Sequence, residues 1–166
     1  MTASGAAPRP RLTTLRPVRD DDLPAFFAHQ LDRTAQHMAA FIADDAADRV
    51  AFNAHWARIR ANAGIRIATI EHAGRVAGYI LSFERNGLRE VGYWIARSLW
   101  GRGIATEALA SFLVALTDRP LYARVASDNA ASMRVVQKCG FIELRRETAF
   151  ANARSAEIEE TIFLLA

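Results

Sequence analysis

Gly92-Tyr93-Trp94-Ile95-Ala96-Arg97-Ser98-Leu99-Trp100-Gly101-Arg102-Gly103-Ile104-Ala105-Thr106-Glu107-Ala108-Leu109 is the stretch that decides the fold of this chain. It reads as a strand running into a loop with two glycines and then directly into a helix. The helix is amphipathic over Gly103 to Thr117, with Ala105, Leu109, Phe112, Leu113 and Leu116 sharing one face. Glycine in such a loop lets the backbone turn sharply and lets a ligand approach without a Cβ in the way. The first N–H groups of the helix, from Arg102 to Thr106, lack intrahelical acceptors, and the helix dipole adds partial positive charge there. Those two effects make a seat for phosphate or pyrophosphate. A tight strand–helix connection with glycines for packing alone accounts for the glycines equally well.

Two common phosphate loops do not fit. A Walker A loop needs Gly, four residues, then Gly-Lys-Ser/Thr, and no such string occurs. A dinucleotide fingerprint needs a third glycine where Thr106 stands, and it opens a parallel βαβ unit. Here the segment follows antiparallel hairpins.

Working outward, Ile65 to His72, Val76 to Glu84 and Leu88 to Ala96 read as strands. The turns between them are Ala73-Gly74 and Asn86-Gly87, the latter a strong hairpin signal. Further upstream, Leu12 to Val18 is a first strand, and Asp20-Asp21-Asp22 ahead of Leu23-Pro24 marks a helix start. A second helix is expected over 35–43 and a third over 48–63, with Phe52, Trp56, Ile59 and Ala63 on one stripe and Gly64 as its left-handed stop. Downstream, Leu121 to Ala126 is a strand, Asp128 caps a helix that Gly140 stops, and Phe141 to Phe150 and Glu157 to Leu165 are strands. The fold class is therefore α+β, a three-layer α/β arrangement with a central mixed, mostly antiparallel sheet of seven strands flanked by helices.

The chain has 166 residues, 51% hydrophobic and 23% charged, which suits one domain over 11–166 behind a disordered Ala/Pro/Gly-rich tail over 1–10. No apolar run is long enough to span a membrane, and the N-terminus lacks the apolar region of a signal peptide, so a cytoplasmic protein is expected. The single cysteine, Cys139, excludes an internal disulfide framework and multi-cysteine zinc motifs. Net charge is +3, but acidic residues are interspersed throughout, so a mixed solvated surface is a better reading than a nucleic-acid face. Every basic residue except Lys138 is arginine, which suits a small phosphorylated ligand. Abundant alanine with almost no lysine indicates a GC-rich, bacterial origin.

From Leu12 to Leu165 the sequence resembles the GNAT N-acetyltransferases, and especially the RimJ/RimL-like branch. That branch often reads Trp-Gly-x-Gly-x-Ala-Thr-Glu-Ala, and Trp100 to Ala108 matches it throughout. The wider family signature is Gln/Arg-x-x-Gly-x-Gly/Ala; Gly103-Ile104-Ala105 fits its second half, and Trp100 stands at the Gln/Arg position. A second block, Asn129-Ala130-Ala131-Ser132 followed by Lys138-Cys139-Gly140-Phe141, resembles the branch's Asn-x-x-Ser and Lys-x-Gly-Phe.

The resemblance implies a GNAT fold splayed at strands 4 and 5, with acetyl-CoA as cosubstrate, a primary amine as acceptor, direct attack without an acyl-enzyme, and no metal. Backbone N–H groups of Arg102, Gly103, Ile104, Ala105 and Thr106, in the loop with Trp100 and Gly101, would hold the pyrophosphate. The pantetheine arm would pair with the strand Tyr93-Trp94-Ile95-Ala96, where an N–H near Trp94 or Ile95 would polarise the thioester carbonyl. Asn129 would bond the pantetheine, and Arg97, Arg102 and Arg134 are candidates for the phosphates or equally solvated surface arginines. Glu90 is the candidate general base, or else an exposed hairpin carboxylate. The position where many members carry a catalytic tyrosine holds Val136. Ser132 is the substitute proton donor the branch suggests, or a helix cap with Asn129; Tyr93 and Tyr122 are less favoured. Cys139 reads as an inert thiol. His29, His37, His55 and His72 show no metal spacing, and His37, Asp32, Arg33 and Gln36 are substrate contacts or surface polar residues. The alternative function is a non-catalytic acyl-CoA-binding or sensor domain on the same scaffold. Family members often dimerise, which leaves a homodimer open.

Overall fold

The computed structural model describes residues 12–166, so the tail expected over 1–10 lies outside the described residues. Its elements are β1 (Thr13–Arg16), α1 (Leu23–Gln30), α2 (Arg33–Ala39), α3 (Arg49–Ala61), β2 (Arg66–His72), β3 (Arg75–Arg85), β4 (Leu88–Ile95), α4 (Ile104–Ala115), β5 (Leu121–Ala126), α5 (Ala130–Lys138), β6 (Ile142–Ala151) and β7 (Ala156–Leu165). The β2–β3–β4 meander forms because both turns adopt the left-handed backbone that tight hairpins need. Asn86 and Gly87 have φ of 53° and 76°, and Ala73 and Gly74 have 50° and 76°.

The strands make one seven-stranded sheet in the order β1-β2-β3-β4-β5-β7-β6. Neighbours are antiparallel except β4 and β5, which run parallel and pair only at Glu90 and Tyr122. Beyond that point the two backbones part, and this gap in the middle of the sheet agrees with the splay that the resemblance implies. On one face α4 and α5 cover a core that includes Ile80, Leu109, Leu121 and Phe163, all fully buried. Each such side chain contributes about 2 kcal/mol by leaving water. On the other face Phe26 from α1 and Phe52 and Trp56 from α3 pack together, with Tyr79 of β3 edge-on to Trp56 at 4.9 Å.

Gly78 fixes the geometry of β4. A Cβ at Gly78 would lie 1.8 Å from the carbonyl oxygen of Trp94, so only glycine lets the two backbones come this close. The β3–β4 register then runs without a break from Arg85 opposite Leu88 to Gly78 opposite Ile95.

Three helices differ from the sequence expectation at their ends. α2 starts and stops earlier, because Asp32 accepts from the Ala35 N–H and Ala40 turns left-handed at φ 65°. α3 ends at Asn62 in extended backbone, so Gly64 is not a left-handed stop. Asn129 caps α5 by accepting from the Ser132 N–H, while Asp128 instead binds the Arg154 guanidinium through both carboxylate oxygens.

Candidate active site

The loop from Ala96 to Gly103 is held open by local contacts. The Trp100 indole N–H donates to the Ile95 carbonyl at 2.9 Å, and Gly101 and Gly103 sit at φ 74° and 77°. A Cβ added at either glycine would meet nothing within 4 Å, so both are required by backbone conformation rather than by packing, and the space before them is free. No side chain caps α4, and the N–H groups from Arg102 to Thr106 find no backbone acceptor among the described residues. They face a cavity of about 620 Å³ walled by this loop, by β4 and by α5. Its charged lining groups are Arg102, Arg134 and Lys138, with no Asp or Glu among the described residues. Helix-start donors, three cations and no carboxylate make an electropositive trough suited to phosphate groups.

A second cavity, of about 450 Å³, opens from the other face of the sheet through the splay. It is walled by Phe41, Ile42 and Trp56 from the helical layer and by facing segments of β4 and β5. The two cavities share Met38, Ala39, Tyr93, Trp94, Asn129 and Ser132, so a ligand in one can reach a ligand in the other there.

Two polar groups at this junction lack partners: the Tyr93 hydroxyl and the Trp94 indole N–H are buried without a hydrogen bond. Burial pushes the Tyr93 phenol up to about 12, with the nearby Ser132 hydroxyl working the other way. Asn129 stands between the helical layer and α5: its Oδ1 caps α5, and its Nδ2 donates to the Met38 carbonyl at 3.1 Å.

Glu90 is placed differently from the expectation. It is 3% exposed and lines neither cavity. Its carboxylate accepts from Arg124 Nε at 2.8 Å and from Arg85 Nε at 3.2 Å. Arg124 also reaches Glu147 and Glu160. Burial works against the Arg124 charge, but Glu90 and Glu147 outweigh it and push its pKa up; burial raises the Glu160 carboxyl. Glu90 is therefore not an exposed hairpin carboxylate; it is a charge held in a network with Arg85, Arg124, Glu147 and Glu160 across β3 to β7.

A family model described as an acetyltransferase (GNAT) domain matches residues 12–142. The chain belongs to the GNAT acetyltransferases. Among solved structures, Mycobacterium smegmatis RimJ in complex with CoA-disulfide is 25% identical, covering 92% of this chain and 81% of that one, with a TM-score of 0.77. A ribosomal-protein-alanine N-acetyltransferase from Brucella melitensis is 21% identical over 92% and 98% of the two chains, with a TM-score of 0.76. Spermidine N-acetyltransferase from Vibrio cholerae, in complex with CoA and spermine, is 20% identical over 92% and 95%, with a TM-score of 0.72. These last two likenesses concern the fold. No curated protein matches the sequence significantly.

As a GNAT enzyme the chain takes acetyl-CoA as its cosubstrate. Of the residues expected to hold it, Trp94, Ile95, Trp100 through Thr106, Asn129, Ser132 and Arg134 all line the electropositive trough. Ala96 and Arg97 do not; Arg97 Nε is paired with Asp32 at 2.7 Å. That pairing and the Ala35 N–H hold the Asp32 carboxyl below its usual range, with the backbone bond the larger cause. Lys138 enters the sequence reading only as part of the second block and not as a phosphate candidate, although it lies one helical turn beyond Arg134 on the same face of α5. Gly78 escaped that reading. Of the four residues considered as acceptor contacts, only Gln36 lines the second cavity. Cys139 packs under α4, its thiol directed at the Thr106 carbonyl at 3.7 Å and pushed up by burial. Among the described residues no cluster of His, Cys, Asp or Glu could hold a metal ion, and no helix is long and apolar enough to cross a membrane.

Proposed function

We propose that the chain transfers the acetyl group of acetyl-CoA to a primary amine, on a protein N-terminus or a small molecule, by direct attack at the junction of the two cavities. The observation that carries this reading is the shared wall at Trp94 and Ser132, which lets two ligands meet through the splayed sheet. The free N–H groups at the start of α4, with Arg102, Arg134 and Lys138, would hold the phosphates of the cosubstrate. The β4 backbone at Trp94 and Ile95 would orient the thioester and donate to its carbonyl oxygen as charge develops there, an effect worth about 3 kcal/mol. Ser132 would hand a proton to the departing sulfur. Asn129 would shape the junction by holding α2 rather than by gripping the ligand. Glu90 would keep β4 and β5 in register where they still pair. A cytoplasmic, bacterial acetyltransferase agrees with the composition, and a homodimer stays open to measurement.

A binding-only domain would need just the first cavity; the second, opening onto the same atoms, favours catalysis. The test is release of free CoA thiol from acetyl-CoA with and without an amine. Amine-dependent release, lowered about tenfold or more by Ser132→Ala with acetyl-CoA affinity unchanged, is the expected result. Tight acetyl-CoA binding with no amine-dependent release would support the binding-only reading instead.

A further inference from the structure

The acceptor cavity has an unusual charge balance for a site that receives an amine. No Asp or Glu lines it among the described residues, and none lines the cosubstrate cavity with which it communicates. The titratable and charged groups that face it are His55 from α3, Tyr79 from β3, Tyr93 from β4 and Arg124 from β5. Burial pushes both phenols up to about 12, so they are neutral at physiological pH. His55 is pulled below the usual imidazole range, by burial first and by Arg58 second. Arg124 is the charged group on the wall, and Glu90 from β4, Glu147 from β6 and Glu160 from β7 lie behind it, compensate its charge and are engaged by it. Its carboxylate partners hold Nε and Nη1, while Nη2 has no partner among the described residues. An ammonium entering this cavity finds aromatic and aliphatic walls and the free edge of a guanidinium, while the nearest carboxylates are turned to Arg124 and none lines the wall. A desolvated cation without a partner gives up its proton rather than its water.

We propose that the site accepts neutral monoamines whose remaining body is uncharged or carries a carboxylate, and that it rejects polyamines and other acceptors bearing a second cation. The inference rests on the acetyl-transfer reading above and names its substrate class. Under it, solvent removes the ammonium proton before the amine enters, and no enzyme carboxylate is required. The neutral nitrogen attacks the thioester carbon, the C–N bond forms, and the C–S bond breaks with its electron pair left on sulfur. The surplus proton on nitrogen is passed to that sulfur, giving an amide and free CoA thiol.

The experiment measures kcat/KM by thiol release, using the full chain and acetyl-CoA, between about pH 6 and pH 10. The acceptors are a trialanine amide (α-amine pKa about 8), phenethylamine (an alkylamine, about 10) and spermidine. Spermidine is expected to be about 100-fold or more poorer than the better monoamine. The rising limb of the pH profile is expected to move by about two pH units between the first two acceptors, following the amine rather than the enzyme. A preference for spermidine, or a limb fixed at one pH for both monoamines, overturns the proposal while leaving acetyl transfer intact. Turnover of none of the three, with acetyl-CoA bound, overturns acetyl transfer and this inference with it. Ile42→Glu, on the cavity wall, supplies the missing counter-charge. The folded variant is expected to gain about tenfold or more toward spermidine relative to phenethylamine, and no gain overturns wall charge as the cause.

Discussion

The two cavities meet at the same atoms but are built from different material. The cosubstrate side is mostly backbone: free N–H groups, two left-handed glycines and the start of one helix. The acceptor side is mostly side chains, contributed by α1, the α2–α3 connection, α3 and the inner strands. A backbone site tolerates changes of side chain and is damaged by an added Cβ. A side-chain site can be redrawn residue by residue without disturbing its neighbour. This contrast explains how one fold keeps one cosubstrate while its acceptors differ.

The contrast can be broken most severely where the two sides share a strand. Gly78→Ala puts a methyl group against the Trp94 carbonyl, and a loss of more than about 4 kcal/mol, read by urea denaturation, is expected. Folded, fully stable Gly78→Ala protein would mean that β4 is not pinned there. Next in size, Glu90→Ala leaves Arg85 and Arg124 without their shared carboxylate, and about 3 kcal/mol of stability is lost. The pH profile of the surviving activity should keep its rising limb, since Glu90 lines neither cavity; a lost limb would restore Glu90 as the base.

A third test uses pH to loosen the joint that carries α1, on the acceptor side. Burial would raise the Asp22 carboxyl, but Arg16, the Thr69 hydroxyl and the Arg19 N–H together lower it from 3.8 to about 2. A group depressed on folding contributes stability above its unfolded pKa and loses it as pH falls through its folded one. About 2 kcal/mol therefore disappears between pH 4 and pH 2, at the joint between the start of α1 and β1–β2. Hydrogen exchange in that window should rise in α1 before α4, and the reverse order would sink the assignment. Smaller still, Gly103→Val forces a β-branched residue to φ 77° and fills the free space before α4, and it should weaken acetyl-CoA about tenfold by calorimetry, with acceptor KM unchanged. The mildest change is Phe41→Ala, on the rim of the acceptor cavity. It should raise acceptor KM about threefold and leave acetyl-CoA affinity alone.

The same contrast governs what could be read from the sequence. The glycine spacing and helix start that make the cosubstrate seat are contiguous from Trp100 to Thr106, and the Asn129–Ser132 cap is as local, so both were legible. Glu90 was not: its partners Arg85 and Arg124 lie 5 and 34 residues away, and only the folded sheet brings them together. The acceptor wall is assembled from short stretches scattered between Gln30 and Val136 and has no motif to carry. Lys138 had a usable signal in its spacing from Arg134, and Gly78 had one in being a lone glycine inside a strand pattern.

Helix α2 supplies Met38 and Ala39 to both cavities and is tied down on its far side by Asn129 to the Met38 carbonyl, Arg154 to the His37 carbonyl and the Ala153 N–H to the Ala40 carbonyl. It is a partition rather than a lid. A partition fixed at its edges transmits pressure, so whatever acetyl-CoA does to its position changes the room left for the acceptor. The resulting coupling must be mutual: the factor by which one ligand alters the other's affinity is the factor returned.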